Sequence, residues 1–336
     1  MSTIKDVARA SGVSVATVSQ VLSNGPRPVH PVTRERVQQA ARAVDYRPNG
    51  VARGLARKRM NTVGLVFLHG NTPTHTNPFL TTVLDGVLSV NMRRRQNTTL
   101  CTISSWEQAE DHLTDLYDGR CDGVLMMVPP VDCVLVDVLL QRKVPFVLIN
   151  GHDASGQASG VDVDNVVAAC RMTQYLLGLG HRRIAYVFEE CDGVYPFARE
   201  RQAGYRQAMT AHGGYDPALA DYTLERALSP DLPPDRRPTA FLCSHDAQAL
   251  MLIEQFEQRG VLVPSDVSIV GFDDIPGAAA ARPALTTVRQ PMTQIGERGA
   301  EMLPALIDKT GSAGRQEILP TELVIRQSAA PPRAGG

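Results

Sequence analysis

Residues 3–22 read TIKDVARASGVSVATVSQVL, and their pattern is helix, tight turn at a glycine, helix. Thr3 followed three residues later by Asp6 has the form of a capping box, so a first helix is predicted to about Ala10, stopping at Ser11-Gly12. Ser14 is placed to cap a second helix to about Leu22, in which Val18, Val21 and Leu22 share one face. Asn24-Gly25-Pro26 ends it. A third helix is predicted from Pro31, the favoured first helical position, with Val37, Ala40, Ala41 and Val44 turned inward. This is the plan that lays the amino end of a second helix along base edges in the major groove. Val15, Ala16 and Gln20 face outward, because positions 16 and 20 are one turn apart while 18, 21 and 22 point to the core.

Charge agrees with a nucleic-acid face. Residues 1–60 hold eleven Lys or Arg against three acids (Asp6, Glu35, Asp45), a charge of +8, and the other 276 residues carry −9. A compact basic module on an acidic body points to a polyanionic partner. With 336 residues, the chain is long enough for a small module beside a large domain or a pair of lobes. No run approaches eighteen apolar residues and the first residues lack the pattern of a signal peptide, so a cytoplasmic protein without membrane contact is expected. The six cysteines stand singly, without Cys-x-x-Cys spacing, and are expected to be reduced core thiols.

From Thr62 the pattern changes to apolar runs alternating with amphipathic stretches. Strands are predicted at 63–68, 99–103, 123–128, 145–149, 184–188, 239–243 and 268–271, separated by helices such as 79–95, 165–177, 199–211 and 245–259. Such alternation predicts parallel sheets covered on both faces. Enzyme motifs are weak: Gly178-x-Gly180 lacks the third glycine of a dinucleotide loop, and neither a phosphate-binding P-loop nor a Gly-x-Ser-x-Gly elbow is present. No enzyme, metal or cofactor is implied.

Residues 3–19, then Val21-Leu22, Thr33-Arg-Glu-Arg-Val37, Tyr46-Arg-Pro-Asn49, Gly180-His-Arg-Arg-Ile184, Arg201 with Gly204-Tyr205, and Gly271-Phe-Asp-Asp274 together resemble the lactose/galactose repressor family, in the same order over residues 3–327. The resemblance implies a small all-α helix-turn-helix headpiece plus an α/β two-lobed, periplasmic-binding-protein-like core with two parallel-sheet subdomains. The expected divisions are a headpiece at 1–46 and a hinge helix and linker at 47–60. The core would span 61–327, with an N-lobe at about 61–161 and 290–319 and a C-lobe at about 162–289 and 320–327. Residues 328–336, rich in Ala, Pro and Gly, are expected to be a disordered tail.

Carried over by position, the resemblance implies that Val15, Ala16 and Gln20 read bases, while Ser14, Thr17 and Thr33 sit near phosphates. It also implies a hinge helix from Asn49 to Arg57, with Ala52 close to the minor groove and Leu55 wedged between central base pairs. Gly50 and Gly54 weaken that helix, so it is expected to fold only when DNA and a dimer partner support it. In the core, the resemblance places a small-molecule effector between the lobes, on Asn77, Phe79, Asn150, Arg201, His245, Asp246 and Asp273. A flat apolar ring with convergent Arg and Asp suits a polyhydroxyl ligand, so a carbohydrate is expected. The partners implied are a palindromic double-stranded DNA operator, the effector and a second copy of the chain. The rival reading is a solute-binding or sugar-processing protein whose helical N-terminus is merely structural.

Overall fold

The computed structural model describes residues 2–23, 25, 27–47, 54, 59–69, 77–106, 118–153, 155–188, 195–229 and 237–333. The chain divides into two compact units, Met1–Asn61 and Thr62–Gly336.

In the first unit, α1 (Ile4–Ser11), α2 (Val15–Leu22) and α3 (Pro31–Ala43) form a three-helix module. The Thr3 N–H and hydroxyl both donate to the Asp6 carboxylate, at 2.9 and 2.8 Å. Those bonds hold the Asp6 carboxyl below its ordinary range. Gly12 closes α1 at φ +63°, a conformation that costs a residue without Cβ least. The interior is a small plug of Val7, Val18, Val21 and Val37 with Ala8, Ala40 and Ala41. A charge at Val18, which is wholly buried, would break it.

The second unit holds two sheets. Strands β1 (Thr62–Leu68), β2 (Asn97–Ile103), β3 (Gly123–Met127), β4 (Phe146–Ile149), β5 (Ser159–Val163) and β10 (Gln316–Leu319) form the first, in the order β10-β5-β4-β3-β1-β2. Strands β6 (Ile184–Val187), β7 (Ala240–Cys243), β8 (Ser268–Asp273), β9 (Thr286–Arg289) and β11 (Glu322–Val324) form the second, in the order β11-β9-β8-β7-β6. Every pairing is parallel except that of β11 with β9, which corrects the all-parallel expectation. The longer connecting helices are α4 (Pro78–Arg93), α5 (Val134–Gln141), α6 (Asn165–Gly178), α7 (Pro196–Ala211), α8 (Asp246–Gln258) and α9 (Met292–Ile307).

Alternate residues of one strand feed opposite faces. In β1, Val63 and Leu65 join one apolar cluster and Val66 the other, and in β6 Tyr186 and Val187 divide in the same way. Both faces are therefore covered, which is why these strands read as unbroken apolar runs.

The chain passes between the sheets after β5, after β9 and between β10 and β11. Strand β5 keeps its pairing with β10 to Val163, so Asp162 belongs to the first sheet, a little beyond the expected lobe limit at 161.

The expected disorder of 328–336 is corrected for residues 328–333. Ser328 is wholly buried; its hydroxyl donates to the Ile269 carbonyl at 2.5 Å and accepts from the Thr286 N–H at 2.9 Å. His181 lies 2.9 Å from the Ala330 carbonyl and 3.1 Å from the Ser268 hydroxyl, and Arg333 pairs with Asp266 at 2.6 Å. The partners lie from 42 to 149 positions back in the chain, so composition carries no sign of them. Among the described residues, no helix is long and apolar enough to cross a membrane.

Candidate functional site

In the three-helix unit, most of the side chains foreseen to meet DNA fall on helix amino ends, and Gln20 lies near the carboxyl end of α2. Ser14 caps α2: its hydroxyl accepts from the Thr17 N–H at 3.1 Å and lies 2.9 Å from the Thr17 hydroxyl. Val15 is 41% exposed and Ala16 is exposed, whereas Val18 and Val21 are buried. Thr33 is half-buried in the first turn of α3. Amino ends of helices present unpaired N–H groups and a positive dipole, which suits phosphate. Gln20 is half-buried, and its Nε2 donates to the Arg27 carbonyl at 2.9 Å. That bond uses one of the two N–H groups of the amide. Asn49, Ala52 and Leu55 lie outside the described residues.

In the second unit, a cavity of about 370 Å³ opens at the carboxyl ends of the strands, between the two sheets. Its size is that of a small-ligand site, and its place is where open α/β sheets bind ligands. The first lobe contributes Leu68, Val128 and Asn150 from the ends of β1, β3 and β4, with Asn77, Pro78 and Phe79 at the start of α4. The second contributes Tyr195, Phe197 and Arg201 from the start of α7, His245 and Ala247 from α8, and Asp273 and Ile275 after β8.

Three of these strand ends leave the sheet through left-handed backbone: Val128 at φ +50°, Asn150 at +51° and Asp273 at +125°. None is glycine, and Val is β-branched, so each conformation is costly and held by its surroundings. The effect is to swing strand-end side chains toward one opening.

Arg201 is the best-anchored polar group of the cavity, 3% exposed. Its Nε donates to Asn165 Oδ1 at 2.9 Å, one terminal nitrogen donates to the Ser244 carbonyl at 2.6 Å, and that nitrogen lies 3.6 Å from Asp273 Oδ1. The guanidinium sits 3.6 Å from the Phe272 ring centre and 4.7 Å from that of Phe197. Asp273 Oδ1 also accepts from Gln290 Nε2 at 2.6 Å. Burial pushes the Asp273 carboxyl up to about 7, against the pull of Arg201.

Asn150 Nδ2 donates to Gln290 Oε1 at a long 3.4 Å, while Asn150 Oδ1 is buried with no partner among the described residues. A buried acceptor left open costs about 1–3 kcal/mol, which a ligand donor would recover.

Comparison with known proteins agrees with both units. Residues 3–49 match the bacterial regulatory proteins of the lacI family, and 173–329 match a periplasmic binding protein-like domain. The catabolite control protein A of Priestia megaterium is 33% identical over 334 residues, covering 97% of this chain and 98% of that protein. The chain belongs to the LacI family. The transcriptional repressor PurR of Vibrio parahaemolyticus is 32% identical, with 98% of each chain covered. A solved complex of the transcriptional regulator CelR with cellobiose is 30% identical at a TM-score of 0.71, covering 98% of this chain and all of that one. The lac repressor dimer bound to operator shares the fold at a TM-score of 0.83 and 23% identity, covering 98% of this chain and 99% of that one. This LacI-family protein is accordingly a DNA-binding transcriptional repressor and not an enzyme.

Within this LacI-family core, Asn77, Phe79, Asn150, Arg201, His245 and Asp273 come together around the cavity. Asn77 Oδ1 is occupied in capping α4, accepting from the Leu80 N–H, and His245 Nδ1 accepts from the Gln248 N–H at the start of α8.

Asp246 does not face the cavity, which corrects the expectation from the sequence. It is wholly buried, accepts from the Thr287 hydroxyl at 2.5 Å and the Ile275 N–H at 3.0 Å, and braces α8 against β8 and β9. Gly271 makes this possible, because a Cβ there would stand 2.2 Å from Asp246 Oδ1. His245 is the extended N-cap and Asp246 the first helical residue, and across that change of backbone His245 lines the cavity while Asp246 enters the core.

Tyr195 and Phe197 were missed. The signal existed: Tyr195-Pro196-Phe197 repeats the form of Asn77-Pro78-Phe79, each opening a helix with proline in its first turn.

Proposed function

We propose that this repressor is a homodimer on a palindromic operator, released or recruited by a sugar or sugar derivative held between the lobes. The observation that carries the reading is the pairing of buried Arg201 and Asp273 with the open acceptor of Asn150 around one cavity of ligand size. Such a set offers fork-shaped donors and carboxylate acceptors to vicinal hydroxyls, with aromatic faces for the apolar side of a ring. The cellobiose complex of the 30% identical regulator supports the same ligand class.

The domain reading assigns 1–46 to DNA, 47–60 to the hinge, and the rest to effector binding and dimerisation, in the cytoplasm where the chromosome is. Val15, Ala16 and Gln20 are the base readers of this reading, Ser14, Thr17 and Thr33 its phosphate contacts, and Asn49, Ala52 and Leu55 its hinge contacts. The effector shifts the balance between DNA-competent and DNA-incompetent lobe arrangements by its difference in affinity for the two. Tyr195 and Phe197, stacked with their planes 18° apart, favour a second reading in which the effector is a planar heterocycle.

A ligand screen by thermal shift, followed by gel shift on genomic fragments with and without each hit, tests the proposal. A carbohydrate that stabilises the protein and changes operator affinity is expected. Stabilisation by heterocycles alone would replace it with the second reading. Unchanged operator affinity with every bound ligand would overturn the coupling.

A further inference from the structure

Beside the effector cavity, His152, Asp162 and Glu200 come from the loop after β4, from β5 and from α7. One ligand atom of each lies within 4.8 Å of the others. The group therefore joins the two lobes. We propose that it is a site for a divalent first-row transition ion, such as Zn²⁺ or Co²⁺, that clasps the lobes together.

Asp162 is the first reason. It is 3% exposed, and the one hydrogen bond it accepts among the described residues comes from the adjacent Val163 N–H, on Oδ1. A carboxylate so nearly buried, with one backbone N–H in place of its water shell, is costly, and Glu200 adds repulsion at close range. A cation relieves both burdens at once.

The donor set is the second reason. One imidazole and two carboxylates suit borderline divalent ions, and leave positions for water. Ligands on one such ion stand roughly 3–4 Å apart, and His152 Nδ1 already lies 3.5 Å from Glu200 Oε1. His152 is exposed, which gives an ion a route in from solvent.

Support from outside the ligand set is the third. The other oxygen of Glu200 accepts from Asn165 Nδ2 at 3.0 Å, and Asn165 Oδ1 accepts from Arg201 Nε at 2.9 Å. Those bonds orient the carboxylate as second partners of metal ligands do, and they connect the ion to the effector cavity through two hydrogen bonds. The site is separate from that cavity, whatever ligand the cavity takes.

The test uses the full chain, stripped with a chelator and titrated with Co²⁺ by calorimetry and absorption spectroscopy. One ion per chain is expected, with weak visible bands of nitrogen and oxygen ligation and a raised melting temperature. His152→Ala, an exposed change that spares the fold, and Glu200→Gln are each expected to weaken binding at least about ten-fold and to abolish the thermal shift. The proposal is overturned by no saturable binding up to about 1 mM, by equal binding in His152→Ala, or by the intense near-ultraviolet bands of thiolate ligation.

Discussion

The three-helix unit and the two-sheet unit place their functional residues in opposite ways. The first has a core of four valines and three alanines and displays its described candidate contacts on exposed or half-buried helix positions, within residues 14–33. The second gathers its cavity from strand ends and helix starts between Leu68 and Ile275, and buries the decisive groups. A DNA face must be open because its ligand is a long polyanion outside the protein, and its charge acts through solvent. A small-ligand site must be dry, because Arg201 and Asp273 discriminate only where water does not compete. Substitutions in the first unit are therefore expected to change partner choice with little change in stability, and substitutions in the second to change both.

The largest test separates the units outright. Removing residues 1–60 takes away the basic charge and all candidate base readers, and is expected to abolish specific DNA binding while leaving a cooperatively melting core. Gel shift and calorimetry check this; retained operator binding would break the contrast.

Next in size is Arg201→Ala. It removes a group held by two hydrogen bonds and two aromatic faces and leaves Asp273 buried without its partner. Breaking such a pair costs about 3–5 kcal/mol of stability, and losing a charge-assisted bond costs roughly ten- to a hundred-fold in effector affinity. Ligand titration and melting read the two losses separately. Full effector affinity in the variant would remove Arg201 from the site.

A smaller, purely local effect is expected from Gln20→Arg. Glutamine pairs best with adenine and arginine with guanine, so preference at one symmetric operator position is expected to shift by about 1–3 kcal/mol with the melting temperature nearly unchanged. Selection from random DNA with both proteins measures it. Identical consensus sequences would show that Gln20 does not read that base.

The last expected effect is on pH dependence, and it sharpens the contrast because it belongs to the core alone. Burial pushes Asp273 up to about 7 and Asp246 up to about 6 from an ordinary value of 3.8. A folded-state value above the unfolded one means that the folded core holds these protons more tightly. Their stabilising contribution is full below about pH 4 and lost as pH rises through 6 and 7. The isolated core is thus expected to melt lower at pH 8 than at pH 5, and Asp273→Asn to flatten the slope. An unchanged slope in that variant would mean that Asp273 is already ionised at pH 5.

By itself the sequence determined what local spacing and charge can specify. The capping box of Thr3 and Asp6, the glycine turn, the valine stripe and the basic charge made the headpiece legible, because each is settled within a few residues of backbone. The long apolar strands were legible for the same reason. Short strands such as Ser159–Val163 and Thr286–Arg289 were not, since Ser, Gly and Thr become strand only through their neighbours' hydrogen bonds. The tail escaped notice likewise, because His181, Ser268 and Ile269 satisfy it from far away in the chain. In the cavity, motifs pointed to Arg201 and Asp273. Only packing decided that His245 faces the ligand space while Asp246 braces Gly271, and that Asp162 meets Glu200 across the lobes. Which way a side chain points at a strand end or helix start depends on surfaces brought together from distant sequence, and no local pattern encodes those.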